Sequence, residues 1–405
     1  LIAHLTDVDV LYAFLAAAAV AALLTPLTMR LARAIGAIDR PRERGLSDRP
    51  TPLLGGLAIF AGTLIAGLIW LPSGGVEGRE WHGILLAATF ITIVGAIDDR
   101  FELPAVVKLG GQVAAALIAV HYGVVVHLIT LPFIGELHFP NAGGAITAVG
   151  LVALMNIVNF SDGVDGLAAG VCAIIAGALA VIALDLYHSG HLHSVAPAVF
   201  AGITAGAALG FLVHNFPPAS SFMGDCGSNL LGLLMGCLTV QAAVKTQVVV
   251  SLVLPLILLT VPFLDTTFVV LKRLKYRRPI YASDSEHFHH RMARIGFSPR
   301  RTIAYLYAWT LMLAGLALAL RFIPYSDHHG HLRLGWTLVV AALGLVVVAA
   351  SVYLVYVLEI LKSRRLDALG RMVVARRGEQ RVGQGQVDEQ RVHAEQQRDS
   401  AHTPA

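Results

Sequence analysis

Apolar runs of roughly twenty residues follow one another along the chain as far as residue 360, separated by short polar segments. They show neither the one-sided stripe of a surface helix nor the alternation of a half-buried strand, so the pattern predicts helices apolar all round. Eleven spans are expected, at 9–29, 53–71, 82–97, 105–121, 143–159, 167–186, 195–213, 227–242, 247–271, 302–321 and 334–360. Between 121 and 141 the run VVVHLITLPFI is short, β-branched and accompanied by two prolines, which predicts a hairpin or re-entrant segment on the outer side instead of another span. The expected fold is an all-α polytopic integral membrane protein with about 11 transmembrane helices in a catalytic domain, 1–361. A polar tail, 362–405, has little to pack and reads as disordered. The first run lacks a small-residue cleavage site and is read as a span rather than a signal peptide.

Composition agrees with this class, at 56% hydrophobic and 14% charged residues in 405. The formal charge of +4 comes from the segments flanking the spans and from the tail, so it speaks of membrane orientation and not of nucleic acid. With the N-terminus outside, one side receives the loops at 30–52, 98–104, 160–166, 214–226 and 272–301 together with the tail. Those loops hold Arg30, Arg33, Arg40, Arg42, Arg44, Arg49, Arg100, Lys272, Arg273, Lys275 and Arg300, whereas the opposite loops hold isolated basic residues such as Arg79 and Lys245. The positive-inside bias makes the basic side cytoplasmic and puts the C-terminus inside. Cys172, Cys226 and Cys237 lie in or beside apolar runs without metal-ligand spacing and read as buried thiols.

Four polar motifs fall on that same side. In VGAIDDRFELP, Asp98 and Asp99 end an apolar run. Adjacent acids can bind a divalent cation and orient a phosphate, or they can be solvated carboxylates at a helix end. Lys108, about two and a half helical turns further on, can bring an ammonium to the same phosphate or simply snorkel to the headgroups. In MNIVNFSDGVDGLAAG, Asn156, Asn159 and Asp162 recur every third residue and share one helix stripe, which Asp165 continues if Gly163 and Gly166 tighten the turn without redirecting it. That stripe suits Mg²⁺, a diphosphate or a sugar; a polar turn is the alternative.

In FLVHNFPPASSFMGDCGSNLLG, Asn215 supplies an amide, Pro217 and Pro218 stop a span, and Asp225 sits where the next helix starts. A carboxylate there repels a bare phosphate but can hold the cation that neutralises one; capping of the helix by Asp225 or Ser228 is the alternative. In RRPIYASDSEHFHHRMARIG, His287, His289 and His290 lie among arginines, which matches anion recognition better than a Zn²⁺ site or a basic loop drawn only to anionic lipid. His188, His191 and His193 are expected outside, in a solvated loop.

These motifs, in this order, resemble the polyprenyl-phosphate N-acetylhexosamine-1-phosphate transferases of the glycosyltransferase family 4 type, over about residues 25–360. The resemblance rests on Asp98-Asp99, on Asn156, Asn159, Asp162, Gly163, Asp165 and Gly166, on Phe222 to Asp225 with Gly227 and Ser228, and on His287-x-His289-His290. It implies transfer of a sugar-1-phosphate from a UDP-N-acetylhexosamine to undecaprenyl or decaprenyl phosphate, with release of UMP and a need for Mg²⁺, or Mn²⁺ in its place. It further implies Asp98, Asp99, Asp162 and Asp165 as catalytic residues, and Asp225 with Asp165 on the metal. Lys108, Asn156, Asn159, Asn215 and the three histidines are implied on the substrates, in the bacterial plasma membrane with the active site facing the cytoplasm. The His-x-His-His form resembles the branch that begins teichoic acid and O-antigen, which makes N-acetylglucosamine the leading sugar; the phospho-MurNAc-pentapeptide transferases are the alternative. The first loop follows that branch through Asp39, Pro41, Arg44, Pro52, Gly55 and Gly56, but Ser47 stands where a histidine is common.

A transporter would carry its charged sites near the midplane and repeat its halves, and neither is evident here. The Gly- and Ala-rich face around Ala201 to Gly210 admits a homodimer, although packing within one subunit accounts for it equally well.

Overall fold

A computed structural model describes residues 5–39, 50–131, 135–244, 298–324 and 333–353. Its helices are α1 (Asp7–Ile35), α2 (Gly55–Trp70), α3 (Gly75–Phe101), α4 (Ala105–His121), α5 (Gly143–Ser161), α6 (Leu167–His188), α7 (Ala196–Asn215), α8 (Gly224–Leu238), α9 (Pro299–Phe322) and α10 (Leu334–Tyr353). Seven of them, α1, α3, α5, α6, α7, α9 and α10, are long and apolar enough to cross a membrane. The expected span at 247–271 lies outside the described residues. The expected spans at 53–71, 105–121 and 227–242 correspond to apolar helices of 16, 17 and 15 residues, the last continued by a π-helical turn, Thr239–Val244. α8 lies in the centre of the bundle. From Cys226 to Leu238 every residue is buried among neighbouring helices.

Hydrogen bonds fix which helix ends lie together. Phe222 N donates to Pro52 O, and Gly55 N and Gly56 N donate to Phe222 O and Met223 O, which joins the start of α2 to the start of α8. Ala219 N reaches Asp165, and Arg300 Nε reaches Pro217 O, which brings in the loop before α6 and the first turn of α9. At the other end, Arg79 donates to His121 O, Gln241 donates to Glu80, and Arg321 at the end of α9 pairs with Asp185 near the end of α6. From α1 to α8 the helices therefore alternate in direction, and α9 runs the same way as α8. The segment at 121–141 does contain a hairpin: β3 (Leu128–Leu131) pairs antiparallel with β4 (Gly135–His138), with Leu131 opposite Gly135. A second ladder pairs β1 (Ile38–Asp39) with β2 (Thr51–Pro52).

Small residues let the central helices touch backbone to backbone. Gly202, Gly206 and Gly210 recur every fourth residue on α7, and a Cβ on them would come within 2.9, 2.2 and 2.1 Å of the carbonyl oxygens of Val10, Phe14 and Ala18 on α1. This is the face on which a homodimer was expected as one reading. The contact with α1 occupies it, so it offers nothing to a second copy. The three cysteines are buried and free, as expected.

Candidate active site

α3 runs further than the apolar run alone indicated, from 75 to 101 instead of 82 to 97, so Asp98 and Asp99 belong to its last turns and not to the following loop. The helix continues through these acids because Glu102 N still reaches Asp98 O at 2.9 Å; Pro104 then supplies the start of α4. Asp98 is buried, and its Oδ1 accepts Leu103 N at 2.7 Å. Its Oδ2 lies 2.5 Å from Lys108 Nζ on the second turn of α4. The same ammonium lies 2.9 Å from Asp225 Oδ2 at the start of α8, so one lysine bridges two carboxylates from different helices.

Asp99 points the other way. Its oxygens accept the backbone N–H groups of Asp225 at 2.6 Å and Cys226 at 3.2 Å. The cap on α8 that the sequence suggested for Asp225 or Ser228 thus comes from α3, and it leaves Asp225 free to face the site. Gly224, at φ +69, lies against this carboxylate; a Cβ there would meet Asp99 Oδ2 at 2.3 Å. Gly95 and Gly56 press on the same turn, with built Cβ positions 2.4 Å from Cys226 Cα and 2.1 Å from Gly227 N.

From α5, Asn159 Nδ2 donates to Asp225 Oδ1 and to Ser228 Oγ, both at 2.8 Å. Both amide hydrogens are used, so Asn159 can offer a ligand only its carbonyl oxygen. Asn156 is in the same position, since its Nδ2 donates to Gln112 Oε1 at 2.7 Å and to Val152 O at 2.8 Å. Asp162 closes α5 as its C-cap residue, and among the described residues its side chain accepts no hydrogen bond. Burial pushes its carboxyl well above the usual range, and the negative charges of Asp225, Asp99 and Asp165 push the same way.

The stripe does not extend to Asp165. The turn after Asp162, with Gly166 at φ +77, carries Asp165 to the next loop, where its Oδ2 accepts Ala219 N at 2.8 Å. Burial raises this carboxyl also. Asn215 is buried and works inside that loop, accepting Gly166 N at 2.8 Å and donating to Ser221 O at 2.9 Å. Tyr307 of α9 donates to Gly166 O at 2.5 Å. His287, His289 and His290 lie outside the described residues, as do Pro41, Arg44 and Ser47. His188, from the other histidine group, pairs with Asp7 at 3.1 Å at the opposite end, away from the aspartates.

The structure therefore brings Asp98, Asp99, Lys108, Asn156, Asn159, Asp162 and Asp225 together, with Asp165 and Asn215 in the adjoining wall. Among the described residues no three carboxylates, imidazoles or thiols already surround a metal position. The donor set nevertheless suits a hard divalent cation, being carboxylate and amide oxygens with no sulfur. Among the described residues Asp162 has no hydrogen-bond partner to displace, and Asp225 keeps lone pairs beyond those used by Lys108 and Asn159. Two members of the cluster were not foreseen: Gln112, one turn after Lys108, and Asn229, one turn after Asp225. The signal was the spacing of four, which puts a second polar residue on the same helix face.

Comparison with known proteins identifies the chain's relatives. The Glycosyl transferase family 4 model matches residues 81–243, the stretch that holds every described member of the cluster. The chain is 36% identical over 332 residues to the decaprenyl-phosphate N-acetylglucosaminephosphotransferase of Mycobacterium leprae, covering 76% of this chain and 83% of the relative. It is 33% identical over 320 residues to the probable undecaprenyl-phosphate N-acetylglucosaminyl 1-phosphate transferase of Bacillus subtilis, covering 78% and 86%. To the phospho-N-acetylmuramoyl-pentapeptide-transferase of Moorella thermoacetica it is 32% identical over 340 residues, covering 77% and 99%. With the motifs in order, the side chains converged and the likeness spread over most of each relative, the chain belongs to glycosyl transferase family 4, among the polyprenyl-phosphate N-acetylhexosamine-1-phosphate transferases.

Proposed function

We propose that this protein transfers N-acetylglucosamine-1-phosphate from its UDP-sugar to undecaprenyl or decaprenyl phosphate, on the cytoplasmic face of the bacterial plasma membrane, and so begins a lipid-linked envelope glycan. The observation that carries the reading is Lys108 held between Asp98 and Asp225, with Asn159 on the other oxygen of Asp225, at one end of an apolar helix bundle. Arg33, Arg100 and Arg300 lie at that end too, which supports its being the cytoplasmic one.

In the reaction an oxygen of the lipid phosphate attacks the β-phosphorus of the UDP-sugar. The new P–O bond forms as the bond from that phosphorus to the bridging oxygen breaks, and the oxygen leaves with UMP. The nucleophile is already an anion, so the protein's task is to align two phosphates and offset their charge. Lys108 is the described cation placed for this, and it already faces two carboxylates. Among the described residues a diphosphate therefore finds too little positive charge to offset its own. Mg²⁺ would be held by Asp225 and Asp162, where it would offset charge on the diphosphate and on the departing UMP. Asp165, tied to Ala219, is less free for this than Asp162. Asp98, fixed by Leu103 N, sets the height of the Lys108 ammonium, so that a phosphate entering the site can take over one of its hydrogen bonds. The carbonyl oxygens of Asn156 and Asn159 are left to accept from hydroxyl or amide groups of the sugar nucleotide.

The test is the fate of the β-phosphate. With UDP-GlcNAc labelled there, purified protein in detergent with polyprenyl phosphate and Mg²⁺ should move the label into lipid and release unlabelled UMP. Release of labelled UDP would mean that only the sugar moves, and the proposal would be wrong. A panel of other UDP-sugars run beside it reads out sugar choice.

A further inference from the structure

Below the charged contacts lies a second, neutral set that joins the same three helices. Asn229 Nδ2 donates to Asp225 O at 2.8 Å, and its Oδ1 accepts Gln112 Nε2 at 2.7 Å. Gln112 Oε1 in turn accepts Asn156 Nδ2 at 2.7 Å, and Asn156 also donates to Val152 O at 2.8 Å. A backbone carbonyl can only accept, and one stands at each end of this chain, so the direction of every amide is fixed. Gln112 and Asn229 are buried, in contrast to the half-exposed Lys108 above them. Each amide sits one turn or less from a member of the charged set on its own helix: Gln112 below Lys108 on α4, Asn229 below Asp225 on α8, and Asn156 below Asn159 on α5.

We infer that Gln112 and Asn229 are positioning residues which lock the rotation and height of α4, α5 and α8, and through them hold Lys108 and Asn159 on Asp225. The inference rests on the transferase reading for its effect on turnover, though the clamp on Lys108 is independent of it. Charged contacts at the mouth have to be exchanged when phosphates enter, so they cannot alone keep three helices in register. Gln112 and Asn229, buried beneath those contacts and given no substrate contact in the proposed reaction, can do so. Its members are costly to leave unpaired, which makes this arrangement of the helices the one in which all of them are satisfied.

The test compares wild type with Gln112→Leu and Asn229→Leu, two variants on different helices, so that failure of one to fold leaves the other. Lys108 is acetylated under limiting reagent in the folded, substrate-free protein and quantified by peptide mass spectrometry against the other lysines. An ammonium held by two carboxylates must leave them and lose a proton before it reacts, so both variants should label Lys108 severalfold faster. Turnover of the folded protein should fall about tenfold in either variant. In an Asn159→Ala background the loss from Gln112→Leu should shrink, because part of what it disturbs is already gone. Unchanged labelling in a folded variant, or losses that multiply without coupling, would overturn the inference. If wild type released no UMP with any sugar, the transferase reading would fail, and the labelling would still decide whether the amides hold Lys108.

Discussion

Replacing Gly95 by alanine tests whether the first turn of α8 must sit where it does. In a helix interior alanine is favoured over glycine by about 1 kcal/mol, so on helix propensity alone this change stabilises α3. The structure predicts the opposite. The new Cβ would lie 2.4 Å from Cys226 Cα and 2.5 Å from Cys226 N, where ordinary contact begins at 3.4 Å, and both are backbone atoms that no rotamer change can move. The first turn of α8 must therefore move by about 1 Å, an amount that in a catalytic site can cost on the order of 100-fold. It would stretch the 2.6 Å contact from Asp225 N to Asp99 and draw Asp225 away from Lys108. Overpacking of this kind costs about 1–3 kcal/mol of stability, which a folded membrane protein can survive. We expect Gly95→Ala to be recovered folded, with UMP release lowered about 100-fold at saturating substrates. Gly150→Ala is the control: it also lies within a helix but meets nothing within 4 Å, so its turnover should match wild type. Turnover of folded Gly95→Ala within twofold of wild type would refute the reasoning.

Asp225→Ala should leave a folded protein whose turnover no added Mg²⁺ restores; normal rates at saturating Mg²⁺ would remove Asp225 as a ligand. Asp162 carries a raised carboxyl, so its proton persists to higher pH than usual and competes with the cation. The Mg²⁺ concentration for half-maximal turnover should then fall as pH rises, and Asp162→Asn should flatten that trend; an equal slope in the variant would count against Asp162. Gly206→Val should lower the melting temperature in detergent, since a Cβ there already lies 2.2 Å from Phe14 O. Full tolerance would mean that α1 and α7 do not pack as described.

What the sequence made legible is what short-range periodicity carries. Asn156 and Asn159 share a face because they are three residues apart on a helix, and on that face Asn159 meets Asp225 while Asn156 meets Gln112. Lys108 was placed near the paired acids by counting turns; it reaches Asp98, but from a separate helix, α4, across the break at Glu102 to Pro104. The role of Asp99 was not legible, because the N–H groups it caps lie 126 and 127 residues away and nothing local marks a helix end capped from another helix. Asp165 left the stripe because the glycine-bearing turn redirects the chain, a choice between two conformations that spacing alone does not make. Gln112 and Asn229 were overlooked as single amides inside apolar runs; their meaning appears only when α4 and α8 stand side by side. A central helix such as α8 is as apolar as a lipid-facing one, so the pattern alone does not tell which helices the bundle buries.

The central claim is that this aspartate and lysine cluster transfers a phosphosugar to a lipid phosphate. Its most direct test is to follow UMP and the mass of the lipid together, in wild type and Asp225→Ala, with polyprenyl phosphate, UDP-GlcNAc and Mg²⁺. The account predicts UMP and N-acetylglucosaminyl-diphosphate lipid in equal amounts from wild type and neither from the variant. No UMP from folded wild-type protein with any UDP-sugar, or undiminished product from Asp225→Ala, would contradict it.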